Sequence, residues 1–122
     1  MGKKKILVVD DEPDTVKLLS IRLKSNGYDV ISVLDGTACL EKAVEEKPDL
    51  IILDILMPKI NGYEVCKCLK ERDDTKDIPV IMLTAKDSDT DRIIGRVIGA
   101  NYYITKPFES EVLLVKIKEL LK

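Results

Sequence analysis

The strongest constraint in this sequence is an alternation. Short, continuous, β-rich apolar runs take turns with stretches that carry apolar residues at helical spacing. Ile6-Leu7-Val8-Val9 is the first such run. A run without polar interruptions suits a strand buried on both faces of a parallel sheet. From Asp14 the pattern turns helical, with Val16, Leu19 and Leu23 at i, i+3 and i+7. Pro13 fits its first turn and Gly27 the position just past its last. Val30 to Val33 reads as a second strand and Thr37 to Glu46 as a second helix. Pro48 breaks the chain before a third strand, Leu50-Ile51-Ile52-Leu53. A loop punctuated by Pro58 and Gly62 leads to a helix from Tyr63 to Arg72. Pro79 introduces a fourth strand, Val80-Ile81-Met82-Leu83. Thr90 to Ile98 is a weaker helix, because Gly95 inside it costs ~1 kcal/mol relative to Ala. Tyr102 to Thr105 is the fifth strand, and the last helix starts near Ser110 with Leu113, Leu114, Ile117, Leu120 and Leu121 on one face.

Strands alternating with helices imply parallel pairing, right-handed crossovers and helices on both faces of one sheet. This is the doubly wound α/β class. At 122 residues the chain is expected to form a single domain over 1–122. That length buries enough surface to hold a core without disulfide or structural metal.

Composition excludes several functions. The chain has no His, which removes a catalytic His, a His metal ligand and a phosphohistidine on this chain. A formal net charge of −2 gives no reason to expect nucleic-acid binding. Cys39, Cys66 and Cys68 form no C-x-x-C and are odd in number, so free, mostly buried thiols in a reducing cytosol are expected. The basic run Lys3-Lys4-Lys5 is followed by an apolar stretch that stops at Val9, too short for a signal-peptide core or a membrane span. A cytoplasmic location, with no membrane contact, is expected.

In this fold class ligands sit at the carboxyl ends of the strands, where strand order reverses. The first strand ends in Asp10-Asp11-Glu12, the third in Asp54, the fourth in Thr84-Ala85 and the fifth in Thr105-Lys106-Pro107. With strand order 2-1-3-4-5 these ends converge on one shallow crevice. Singly, each has a plain structural role, as a helix N-terminus, a loop acid, a strand-end hydroxyl or a solvated lysine. Together they make carboxylates that repel one another unless a cation intervenes. Hard oxygen donors without His or thiolate select Mg²⁺ (or Mn²⁺). A carboxylate beside such an ion, facing a Lys ammonium and a Thr hydroxyl, is equipped for phosphoryl transfer with the carboxylate as nucleophile. The chain lacks the G-x-x-x-x-G-K-[ST] loop, which argues against direct use of ATP and for a small or already activated donor.

These residues resemble the receiver domain of two-component response regulators. The likeness runs from Ile6-Leu-Val-Val-Asp-Asp-Glu-Pro through Ile51-Ile-Leu-Asp-Ile-Leu-Met-Pro and Leu83-Thr-Ala to Tyr103-Ile-Thr-Lys-Pro-Phe and on to the final helix. The resemblance implies a flavodoxin-like (βα)5 three-layer sandwich. It implies that Asp54 accepts phosphate from a phosphohistidine on a sensor histidine kinase or phosphotransfer protein. Asp11, Asp54 and the backbone carbonyl of Leu56 would bind Mg²⁺, with Asp10 reaching it through water. Thr84 and Lys106 would hold the phosphoryl oxygens, Tyr103 would change rotamer when Thr84 moves, and Lys106-Pro107 would be cis. Leu56 and Lys86 match two variable positions that influence phosphate lifetime. The domain would catalyse only its own phosphorylation and slow dephosphorylation. Its output would pass through the face of the fourth helix, fifth strand and fifth helix, to a partner protein or an effector domain, with an activation-dependent homodimer as one outcome.

Two departures stand out. Asn61 replaces the usual acid before Gly62, which a turn tolerates. Asn101 and Tyr102 replace an acidic pair that serves a dimer face in many receivers joined to DNA-binding domains. Tyr102 either serves another partner or tucks against the last helix. The sequence stops at Lys122, which fits a stand-alone regulator and a receiver cut from a longer protein equally. A binding scaffold that needs no phosphate, and a Mg²⁺-dependent phosphatase, are the alternatives in other functional classes.

Overall fold

Five strands form one parallel sheet in the order β2-β1-β3-β4-β5: β1 (Lys5–Val9), β2 (Asp29–Val33), β3 (Leu50–Asp54), β4 (Val80–Thr84) and β5 (Tyr102–Thr105). The computed structural model describes residues 2–57, 59–84 and 99–122, with Thr84 described in its backbone only. The helix expected over 90–98 and the positions of Ala85 and Lys86 lie outside the described residues. The described helices are α1 (Pro13–Ser25), α2 (Gly36–Glu46), α3 (Gly62–Glu71) and α4 (Ser110–Leu120).

The order of the sheet and the element boundaries follow the expected pattern to within about one residue, the scatter normal for element ends. α1 does start on Pro13, and Gly27 takes the left-handed φ of +90° that closes its C-terminal turn. Asp35 caps α2 by accepting from the Ala38 N–H at 2.8 Å, and Asn61 caps α3 by accepting from the Glu64 N–H at 3.0 Å. Asn serves as N-cap as well as Asp does, so the departure at position 61 leaves the helix start intact.

Alternation along the strands sends side chains to two cores. Leu7, Val9, Ile51, Leu53 and Met82 pack beneath α2 and α3 with Cys39, Ala43, Val65 and Leu69. Ile6, Val8, Ile52, Leu83 and Ile104 pack on the other face with Val16, Leu19 and Leu23 of α1 and Leu113 and Ile117 of α4. Every residue of β3 is buried, as a central parallel strand requires. Each such Leu or Ile contributes roughly 1.5–3 kcal/mol of burial free energy. The thiols of Cys39 and Cys66 lie in the first core, while Cys68 is exposed on the opposite side of α3. No helix among the described residues is long and apolar enough to cross a membrane.

Candidate functional site

Register builds the site. Val9 pairs with Leu53, so the next residue of each chain segment, Asp10 and Asp54, stand side by side at the sheet's carboxyl edge. Asp54 pairs with Leu83, and Thr84 with Thr105, which brings Lys106 one residue beyond the same edge. Four segments distant in sequence therefore meet because of strand order alone.

Asp10 is fully buried. Its Oδ2 accepts a 2.7 Å hydrogen bond from Lys106 Nζ, and its Oδ1 accepts from the Glu12 N–H at 3.0 Å. Asp54 is also buried, with Oδ1 3.5 Å from Lys106 Nζ. Glu12 Oε1 lies 3.7 Å from the same ammonium. Asp11 and Glu12 are exposed, and carboxylate oxygens of Asp10, Asp11 and Glu12 all lie within 4.8 Å of one another. Leu56, just past Asp54, is half exposed. The Lys106–Pro107 peptide bond is cis.

Among the described residues, the electrostatics are those of a site short of positive charge. Burial, and then the neighbouring Asp10 carboxylate, push the Asp54 carboxyl up to about 6; Lys106 pulls it back and Asp11 adds to the rise. Burial alone would lower the Lys106 ammonium. The hydrogen bond that the ammonium donates to Asp10 and the charges of Asp54, Asp10 and Glu12 outweigh burial and raise it. One ammonium thus serves several carboxylates. The donors are all hard oxygens without imidazole or thiolate, so the residues present fit Mg²⁺ or a similar dication.

Of the residues singled out in the sequence, Asp10, Asp11, Asp54 and Lys106 come together here. Thr84 ends β4 at the same edge, but its side chain lies outside the described residues, as does Lys86. Glu12 joins the cluster as well. Sequence reasoning placed it at the strand end without assigning it a role.

Tyr103 projects to the α3 side of the sheet, where its hydroxyl lies 2.7 Å from that of Tyr63. Tyr102, on the opposite face, tucks against α4: its hydroxyl donates to Glu119 Oε2 at 2.7 Å, and Lys116 Nζ stands 4.5 Å from the ring centre. Of the two readings of Tyr102, the structure realises the intramolecular one. Asn101 is spent locally too, its Oδ1 accepting from the Val80 N–H at 3.0 Å at the start of β4.

Comparison with known proteins agrees with this geometry. The family model described as "Response regulator receiver domain" matches residues 6–118. The alkaline phosphatase synthesis transcriptional regulatory protein PhoP of Bacillus subtilis is 48% identical over 119 residues, which is 98% of this chain and 49% of that protein. The chain therefore spans about half the length of this relative. The chemotaxis protein CheY4 of Vibrio cholerae superposes with a TM-score of 0.93 at 33% identity, covering 98% of this chain and 100% of that one. The BeF3-activated N-terminal receiver domain of Klebsiella pneumoniae RstA does so with a TM-score of 0.91 at 33% identity, covering 98% and 99%. A family match over nearly the whole length, on a sheet whose order and acidic carboxyl edge suit it, establishes that the chain belongs to the response regulator receiver domain family, the phosphoryl-accepting signalling modules of two-component systems.

Proposed function

We propose that Asp54 is the residue that takes the phosphoryl group, and that residues 1–122 act as one response regulatory domain in the cytoplasm. The observation that carries this reading is the position of Lys106 Nζ, 2.7 Å from Asp10 and 3.5 Å from Asp54, at a sheet edge that also holds Asp11. The donor is a phosphohistidine on a sensor histidine kinase or phosphotransfer protein. An Asp54 carboxylate oxygen attacks phosphorus, the bond from phosphorus to the imidazole nitrogen breaks with its electron pair leaving on the imidazole, and Asp54 becomes an acyl phosphate.

Lys106 balances charge on the transferred oxygens, and the Thr84 hydroxyl donates to one of them. Asp11, Asp54 and the Leu56 carbonyl would hold Mg²⁺ (or Mn²⁺), with Asp10 reaching it through water, and the ion would supply the remaining neutralisation. Water later attacks the same phosphorus and returns the carboxylate and inorganic phosphate, at a rate influenced by Leu56 and Lys86. A groove of about 460 Å³ opens beside Lys106, between α1 and the segment after β5, and gives a partner's side chain room to approach. Its walls include Thr15, Leu18, Arg22 and Phe108.

Phosphorylation favours the state in which Thr84 and Tyr103 have moved inward, and the face to which β5 and α4 contribute changes its partner or effector domain accordingly. The decisive experiment is intact-mass measurement after incubation with acetyl phosphate and Mg²⁺. Wild type gains one phosphoryl group and Asp54→Asn gains none. An adduct that persists in Asp54→Asn assigns the acceptor elsewhere.

A further inference from the structure

The hydroxyl pair of Tyr63 and Tyr103 joins an element that starts at the phosphoacceptor edge, α3, to one that ends there, β5. Tyr103 sits in β5, three residues before Lys106. Tyr63 is the second residue of α3, directly after Gly62. Gly62 in turn is pressed against the acceptor strand: its N–H donates to the Ile55 carbonyl at 2.9 Å, and a Cβ at this position would collide with the Asp54 carbonyl oxygen and stand 2.8 Å from Ile55 Cα. The start of α3 is therefore fastened to the backbone of Asp54 and Ile55, and Tyr63 carries that anchorage across to Tyr103 through a 2.7 Å hydrogen bond. Both rings are half-buried against the α2–α3 core. A hydroxyl pair in such surroundings is stronger than one in water and costly to leave unmade.

We propose that Tyr63 is a positioning residue for the switch: its hydroxyl holds Tyr103 in the conformer that packs against the α2–α3 core and so sets how much of the phosphoryl group's binding energy is needed to move the ring out of it. This rests on the reading of Tyr103 as the mobile aromatic. Any rotamer that carries the Tyr103 hydroxyl away from α3 breaks this bond. A state in which the bond is broken is disfavoured by the bond's worth, and a ligand that selects that state binds correspondingly less tightly. Because α3 begins at the Asp54 backbone, the restraint reaches Tyr103 from the acceptor by a path of its own, separate from Thr84.

The test is the affinity of the full chain for beryllofluoride with Mg²⁺, read by titration, in wild type, Tyr63→Phe, Tyr103→Phe and the double variant. Tyr63→Phe keeps the ring and removes only the hydroxyl. It is expected to tighten beryllofluoride binding roughly twofold to tenfold, the worth of one such hydrogen bond. In the Tyr103→Phe background the same change is expected to have a smaller effect, since the bond between the two hydroxyls is already gone. An unchanged or weakened affinity in Tyr63→Phe, or a gain of undiminished size in the Tyr103→Phe background, overturns the proposal. If wild type itself binds no beryllofluoride, it is the Asp54 reading that fails; if wild type binds and the cycle shows no coupling, only the role of Tyr63 fails. A merely structural hydroxyl would lower the melting temperature equally with and without beryllofluoride and leave the affinity where it was.

Discussion

Lys106 is committed to Asp10 before it is committed to Asp54: its ammonium lies 2.7 Å from the first carboxylate and 3.5 Å from the second. Asp10 is fully buried, so removing the lysine leaves a charge without its direct partner. Lys106→Ala is expected to cost about 1–3 kcal/mol of stability at pH 7 and to raise the Asp54 carboxyl beyond its already elevated value. Phosphorylation by acetyl phosphate should slow on the order of a hundredfold, the usual loss when one donor to a developing anion is deleted. Thermal melts and the rate of mass gain check the two parts separately. A variant as stable and as fast as wild type would show the lysine to be a bystander.

The Asp54 carboxyl is pushed up to about 6, which fixes the sign of a pH effect. The folded protein binds that proton more tightly than the unfolded chain, where the value is about 3.9. Asp54 therefore favours folding most below roughly pH 4, and its contribution falls as pH rises from there to about 6. Above that window the ionised group is a net burden that a dication or an amide relieves. Asp54→Asn should melt several degrees above wild type at pH 7, about 3–6 °C for each kcal/mol recovered, and the gap should close toward pH 4. Millimolar Mg²⁺ should raise the wild-type melting temperature at pH 7 and do less for Asp54→Asn. Identical melts in all these conditions would mean that the carboxylates do not repel as placed.

The frame of the molecule was readable because its signals are local and repeated. Runs such as Leu50-Ile51-Ile52-Leu53 have no polar interruption and suit central strands, and all of β3 is indeed buried. The strand-end acids followed from the same logic, since parallel register puts Asp10 beside Asp54 once β1 and β3 are neighbours. What escaped the sequence were contacts with no period to announce them. Tyr63 reads only as the first residue of a helix, yet its hydroxyl finds Tyr103 forty residues away. Tyr102 had two readings that hydropathy cannot separate; Glu119 and Lys116, one helix later, decide between them. Asn101 departs from the family's acid, but its side-chain oxygen accepts a hydrogen bond from the Val80 N–H, a contact that an Asp carboxylate could make equally well.

Gly62 offers a sharp steric test. A methyl group there would meet backbone atoms of Asp54 and Ile55, neither of which can swing aside as a flexible side chain could. Gly62→Ala is expected to destabilise the domain by about 1–3 kcal/mol. It should also slow phosphorylation more than an equally destabilising core change such as Val65→Ala, because relief of the clash displaces the strand that carries Asp54. Denaturant titration together with the acetyl phosphate rate makes the comparison. Equal rates in two variants matched for stability would show that the backbone at Asp54 does not feel the start of α3.

The thiols give an independent reading of the α2–α3 side of the sheet. Burial, with Cys66 and Asp35 adding to it, pushes the Cys39 thiol up to about 12, and burial likewise raises Cys66. Cys68 is exposed on the outer face of the same helix as Cys66. The thiolate is the reactive form, so at pH 8 a disulfide reagent should titrate one thiol of the native protein at once. The two buried thiols should follow only as the helices open, in a slow phase that quickens with denaturant. All three of the chain's cysteines should react promptly once it is unfolded. Because Tyr63 and Tyr103 border this same core, Tyr63→Phe should quicken the slow phase for Cys66. Two or three fast equivalents in the native protein would contradict the packing of Cys39 and Cys66 beneath α2 and α3.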